Sequence, residues 1–222
     1  MIYSDKHKCI FIHLPKTGGE SILSVIGADK KHFTVEEVFK PEMLLDVPDR
    51  FGSYDGPSWF NRTYSTAIRD RWDEYYKFAF VRNPYSRCVS EYFYNVHRVK
   101  NDKYEKTIND MGGVDTRIPT VEPWFKKYVI LNKDNTDVWK APYYNWLCKD
   151  NTIDINFIGK LETLQADFDM ICDKIGIPKQ ILPHKNKSKH KHYTEYYNDE
   201  TRQIVADKYK KDIEYFGYEF GE

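Results

Sequence analysis

The stretch that most constrains this chain is CIFIHLPKTGGESIL, residues 9–23. An apolar run stops at Pro15, gives Lys16-Thr17-Gly18-Gly19, and resumes at once as Glu20-Ser21-Ile22-Leu23. The pattern predicts a buried strand over 8–14, a tight loop and a helix over 20–26. The apolar runs KFAFV (77–81) and IDINFIG (153–159) predict two more strands. A helix follows each. Pro84 opens the first, which runs to 97, because a first-turn proline lacks only an N–H that has no helical partner. The second, over 161–175, is amphipathic and stops at Gly176, with Pro178 beyond. Strands alternating with helices predict an α/β fold. The expected form is three-layered and P-loop-like, with a central parallel sheet of about four to five strands flanked by helices.

The rest of the chain adds helices and loops without a second pattern. Thr34-Val35-Glu36-Glu37 is a capping box, and a short helix should follow it until Pro41. Residues 41–61 read as loop and 64–75 as helix. Residues 101–120 read as an exposed excursion. Aromatic-rich helices are expected over 121–131 and 141–147, and a last helix over 198–215, closed by Gly217. No repeat or low-complexity linker divides the 222 residues, so one domain over 1–222 is expected.

Composition then removes function classes. Lys+Arg and Asp+Glu are both 34, so the formal charge is zero, unlike the basic balance of a general nucleic-acid binder. No apolar run approaches the roughly 20 residues of a membrane span. The opening MIYSDKHKCIF does not read as a secretory leader, and a cytoplasmic location is expected. Cys9, Cys88, Cys148 and Cys172 are scattered, which suits buried thiols better than a disulfide framework or a zinc site. Any anion site must therefore be a local concentration of charge.

Residues 15–21 have that character. In an open α/β sheet, ligands bind beyond the carboxyl ends of strands. Gly18 and Gly19 let backbone N–H groups approach an anion, and the helix that follows adds partial positive charge. Lys16 brings a full charge; Thr17 and Ser21 bring hydroxyls. The order of residues is not that of a Walker A loop, where lysine follows the glycines. The second strand ends in Arg82, where a magnesium-dependent enzyme would place an aspartate, so the expected site is metal-free. Arg82 offers a forked, permanent charge suited to a phosphate. Ser90, eight residues on, can point at the same group.

With both segments in view, FIHLPKTGGES and FAFVRNPYSRCVSEY resemble the two cofactor-binding segments of sulfotransferases, closest to the carbohydrate sulfotransferase group. The resemblance continues in IDINFIGKLETLQADF, LPHKNKS and the closing YYNDETRQIVADKYKKDIEYFGYEF, and is weakest over 101–135. It implies 3′-phosphoadenosine 5′-phosphosulfate (PAPS) as sulfuryl donor, with PAP as the desulfated product. By position, Lys16, Thr17, Gly18, Gly19, Glu20 and Ser21 would hold the 5′-phosphosulfate, and Arg82 and Ser90 the 3′-phosphate. Lys16 would also stabilise the leaving phosphate oxygen. The acceptor would be a hydroxyl on a carbohydrate or other small molecule, attacking in line. Rival readings are a nucleotide-dependent kinase, or a binding module that keeps the anion sites without turnover.

Two residues compete as the base. His32, in KKHFTVEEV, resembles the family's His-x-Thr segment and precedes the capped helix at Thr34, where a helix start disfavours imidazolium. Glu20 is the second candidate, although an acid in a first helical turn also serves the helix dipole. His13 reads as a packed strand residue, and His97 as a charge near a helix end. Relatives often carry threonine at the place of Glu20 and glutamine at that of Tyr143, which bears on the acceptor. The segment HKNKSKHKH (184–192) reads as a basic loop over the donor or as solvated surface, and its histidines are poorly spaced for a metal. Trp59, Trp124, Trp139, Tyr143, Tyr144 and Trp146 are candidates to line an acceptor cleft, although most aromatics are core.

Overall fold

The computed structural model describes residues 1–27, 34–40, 58–100, 121–183 and 190–222. Within them the chain forms two compact units, each assembled from two segments: Met1–Val81 with Tyr143–Lys185, and Arg82–Pro142 with Asn186–Glu222. The first unit carries strands β1 (Ile2–Ser4), β2 (Cys9–Ile12), β3 (Tyr76–Val81) and β4 (Phe157–Lys160). Its helices are α1 (Gly19–Ile26), α2 (Val35–Phe39), α3 (Ser58–Arg71), α6 (Tyr143–Leu147) and α7 (Leu164–Ile175). The second unit carries α4 (Pro84–Lys100), α5 (Val121–Asn132), α8 (Asp199–Lys208) and α9 (Lys210–Phe216). Among the described residues, no helix is long and apolar enough to cross a membrane.

The four strands lie side by side in chain order. β2, β3 and β4 are parallel, with Ile12 opposite Ala79 and Val81 opposite Lys160. Their carboxyl ends therefore open on one edge of the sheet, the edge where such folds bind ligands. The strands read as unbroken apolar runs because both faces are covered. Phe11, Phe78 and Phe80 pack in one core with Ile22, Leu23 and Ile26 of α1 and Phe168, Ile171 and Cys172 of α7. The alternate residues Ile10, Ile12, Ala79 and Val81 are buried as well. This is the expected α/β class, with four strands among the described residues, mostly parallel and flanked by helices.

Several elements differ from the sequence reading. The unpredicted β1 pairs antiparallel with β2 at the sheet edge; three residues are too few to show a period of two. β4 begins at Phe157, not at 153, because side chains take over the pairing before it. Asn156 Oδ1 accepts the Lys77 N–H at 2.7 Å, and Asp154 accepts from Trp72 Nε1 at 2.7 Å and Lys77 Nζ at 3.3 Å. The last predicted helix is two, α8 and α9, broken at Tyr209 (φ −106°, ψ 24°). In addition, α3 starts at Ser58, inside the expected loop. The capping box at Thr34 forms as expected: Glu37 N–H donates to Thr34 Oγ1, and Thr34 N–H to Glu37 Oε2.

The second unit is helical. Tyr85, Val89 and Tyr92 of α4, Phe125 and Tyr128 of α5, and Val205 of α8 make its buried core with Tyr193 and Tyr209. Its rings meet edge to face, as at Tyr92–Phe125 (5.6 Å) and Tyr92–Tyr128 (5.5 Å), an arrangement favoured by the ring quadrupole.

Candidate active site

The loop between β2 and α1 turns through two left-handed residues, Lys16 (φ 66°) and Gly18 (φ 74°). Glycine takes that conformation freely; lysine holds it only because its neighbours are fixed. The fixing contacts are visible within the first unit. Tyr143 Oη, on α6, donates to the Pro15 carbonyl at 2.6 Å, and Tyr143 is wholly buried. The Thr17 hydroxyl donates to Leu14 O at 2.9 Å. The Ser21 hydroxyl donates to Pro183 O at 2.5 Å, and Ser21 N–H to Gly18 O at 2.9 Å. Gly19 is required by contact: a Cβ there would stand 2.1 Å from Cδ2 and Nε2 of His13. The His13 ring, stacked on Phe11 at 5.5 Å, is in turn buried under the loop. The first turn of α1 carries Glu20 as its acid.

Lys16, Gly18 and Glu20 are partly exposed, whereas Thr17, Gly19 and Ser21 are buried. The loop thus presents its lysine and part of its backbone outward. The two hydroxyls expected to meet an anion instead give their protons to carbonyls that shape the loop.

In the second unit, Arg82 and Asn83 precede α4. Asn83 caps the helix: its Oδ1 accepts from Tyr85 N–H at 3.0 Å and Ser86 N–H at 3.4 Å, and its Nδ2 donates to Glu219 O at 2.8 Å. The partly exposed Arg82 guanidinium donates from Nε at 3.1 Å and Nη2 at 2.9 Å to one oxygen, Ser86 Oγ. Ser90 lies one turn further along α4 and is buried.

Behind these residues α4 carries a buried ionic network. Arg87 donates from Nε to Glu91 Oε1 at 2.9 Å and to the carbonyls of Ala141 and Trp139. Lys140 Nζ meets Glu91 Oε2 at 3.1 Å and bonds to Tyr128 Oη. Burial by itself raises the Glu91 carboxyl, but the charges of Lys140 and Arg87 outweigh it and hold it at about 2. Burial, with the Glu91 charge second, pushes the Cys88 thiol up to about 12. The cavity lined by Cys88, Glu91, Tyr128, Lys140 and Lys208 measures about 10 Å³, room for about one water and far below a nucleotide or sugar. This network is scaffold for α4.

The sequence-predicted residues therefore fall into two local groups: residues 16–21 around one loop of the first unit, and Arg82 and Ser90 at the head of α4 in the second. His32 lies outside the described residues, as do 41–57, 101–120 and 184–189. Of the six aromatic candidates, Tyr143 and Trp146 are core, Trp124, Trp139 and Tyr144 are partly exposed, and the Trp59 side chain is not described. Sequence reading missed Ser86 and the tether from Tyr143 to Pro15. The first has a signal, its place four residues after Arg82; the second, across 128 residues, has none.

The model of the sulfotransferase family matches residues 1–219. Carbohydrate sulfotransferase 10 of Xenopus laevis is 22% identical over 259 aligned residues, covering 97% of this chain and 66% of that protein. Carbohydrate sulfotransferase 10 of Danio rerio is 23% identical, covering 96% and 65%. Carbohydrate sulfotransferase 14 of Danio rerio is 26% identical over 198 residues, covering 82% and 49%. The chain spans about two thirds or less of the length of these curated relatives. No solved structure matches it.

Proposed function

The chain belongs to the sulfotransferase family, and on that premise we propose that it moves a sulfuryl group from PAPS to a hydroxyl of a carbohydrate or other small molecule. The observation that carries the reading is the loop before α1, where left-handed Lys16 and Gly18 curl the backbone at a helix start. Such a curl gathers N–H groups on its concave side, and the helix adds partial positive charge; both suit a phosphosulfate. The names of the relatives, carbohydrate sulfotransferases, support a carbohydrate acceptor. The family match runs through both compact units, which supports reading residues 1–222 as one sulfotransferase domain.

PAPS supplies the activated sulfuryl group; the chain supplies position and charge. In this reading residues 16–21 bind the 5′-phosphosulfate, with Thr17 and Ser21 acting through the loop shape their hydroxyls hold. Arg82 and Ser90 bind the 3′-phosphate. Lys16 balances the charge that gathers on the leaving phosphate oxygen, a task for a fixed cation rather than a mobile solvent shell. His32, or Glu20 in its place, takes the proton of the attacking hydroxyl.

The test is calorimetric binding of PAP and of ATP, with and without magnesium, to wild type, Lys16→Ala and Arg82→Ala. Metal-independent PAP binding that both substitutions weaken, with ATP binding much weaker, is the expected result. Better binding of ATP with magnesium would point to the kinase reading. A screen of sugar acceptors with PAPS then separates an enzyme from a binding module. Loss of turnover in His32→Ala with PAP binding kept is the expected mark of the base, and unchanged turnover would move that role to Glu20.

A further inference from the structure

Arg82, Ser86 and Ser90 are spaced four residues apart, and the last two stand on α4 one turn from each other on the same face. The guanidinium of Arg82 directs both Nε and Nη2 at Ser86 Oγ, at 3.1 and 2.9 Å. That two-nitrogen edge is the one an arginine offers to a phosphate or carboxylate. A hydroxyl oxygen that accepts two N–H bonds has committed its lone pairs, so its own hydrogen points away from the guanidinium. Ser86 is partly exposed, unlike Ser90. It is therefore an oriented donor beside the arginine and nearer the surface than Ser90.

We infer that Ser86 is a third member of the 3′-phosphate site, donating its hydroxyl to the anion that Arg82 and Ser90 hold. A terminal phosphate presents three acceptor oxygens; Ser86 and Ser90 on one face of α4, with Arg82 just before the helix, offer donors to meet them. Ser86 also holds the guanidinium in place before the ligand arrives, so less side-chain freedom is lost on binding. The inference rests on the donor reading above.

The experiment compares PAP with AMP, the same nucleotide without its 3′-phosphate, by calorimetry on wild type, Ser86→Ala, Ser86→Thr and Arg82→Ala. Wild type binds PAP tighter than AMP. Ser86→Ala loses about tenfold toward PAP, the worth of one hydrogen bond to a charged group, and nothing toward AMP. Ser86→Thr, which keeps the hydroxyl, stays near wild type, and Arg82→Ala loses most of the preference for PAP. Ser86→Ala binding PAP as wild type does, or losing PAP and AMP in equal proportion, overturns the inference and leaves the donor reading standing. A wild type that does not prefer PAP over AMP takes down the donor reading itself, and is visible before any substitution is made.

Discussion

Replacing Glu91 by glutamine keeps its shape and removes its charge from the centre of the second unit. Oε1 accepts from Arg87 Nε at 2.9 Å, and Oε2 from Lys140 Nζ at 3.1 Å. The side chains of Arg87 and Lys140 are 0% and 16% exposed, so the substitution leaves one buried and one partly buried cation facing a neutral amide. Two routes give the cost. Removing one member of a buried ion pair costs about 3–5 kcal/mol. The Glu91 carboxyl, raised by burial but lowered further by Lys140 and Arg87, sits at about 2 against an ordinary 4.5, a distance worth about 3 kcal/mol. A carboxyl with a depressed folded value stabilises the fold fully above its unfolded value and loses that contribution as pH falls through the folded one. The stabilisation is therefore complete above about pH 4.5 and gone near pH 2. Urea unfolding followed by circular dichroism should place Glu91→Gln about 3 kcal/mol below wild type at neutral pH, with the deficit shrinking across that acid window. A deficit under about 1 kcal/mol at neutral pH, or one that stays constant through the window, would refute the argument.

Three further outcomes test the loop and its surroundings. Gly19→Ala drives a methyl to 2.1 Å from the His13 ring and should cost about 1–3 kcal/mol in urea unfolding; the double variant with His13→Ala should recover more than about 0.5 kcal/mol of that, and strict additivity would contradict the contact. Tyr143→Phe keeps the buried ring but removes the donor to Pro15 O, with an expected loss of about 1–3 kcal/mol in stability. If that hydroxyl holds Lys16 in place, the variant also binds PAP more weakly while adenosine 3′-phosphate, which lacks the 5′-phosphate, binds as before; equal losses for both ligands would count against it. Asn198→Ala removes the side chain that accepts from Thr201 N–H at 2.9 Å at the start of α8, and should lower stability by about 1 kcal/mol, with no change in the melting curve as the contrary result.

What the sequence makes legible here is local. The strand at Cys9–Ile12, the helix that starts at Gly19, the capping box at Thr34 and the helix opened by Pro84 are each written within a few residues, by period, glycine, cap or proline. The long-range contacts within each unit are not written that way. Ser21 meets Pro183 across 162 residues, Tyr143 meets Pro15 across 128, and Lys140 meets Glu91 across 49. Residue type alone does not show where such hydroxyls turn. Thr17 and Ser21 look like anion donors because they stand in a lysine- and glycine-bearing loop, yet their protons go to Leu14 O and Pro183 O. A buried hydroxyl in a strained turn finds a carbonyl nearby, since an unsatisfied one costs more than the bond returns. Ser86, by contrast, has as its signal only its place four residues after Arg82, whose fork orients it. Residue types mark the loop, but where each hydroxyl turns depends on its partner: Leu14 O lies three residues from Thr17, whereas Pro183 O reaches Ser21 across 162 residues, a distance no local pattern spans.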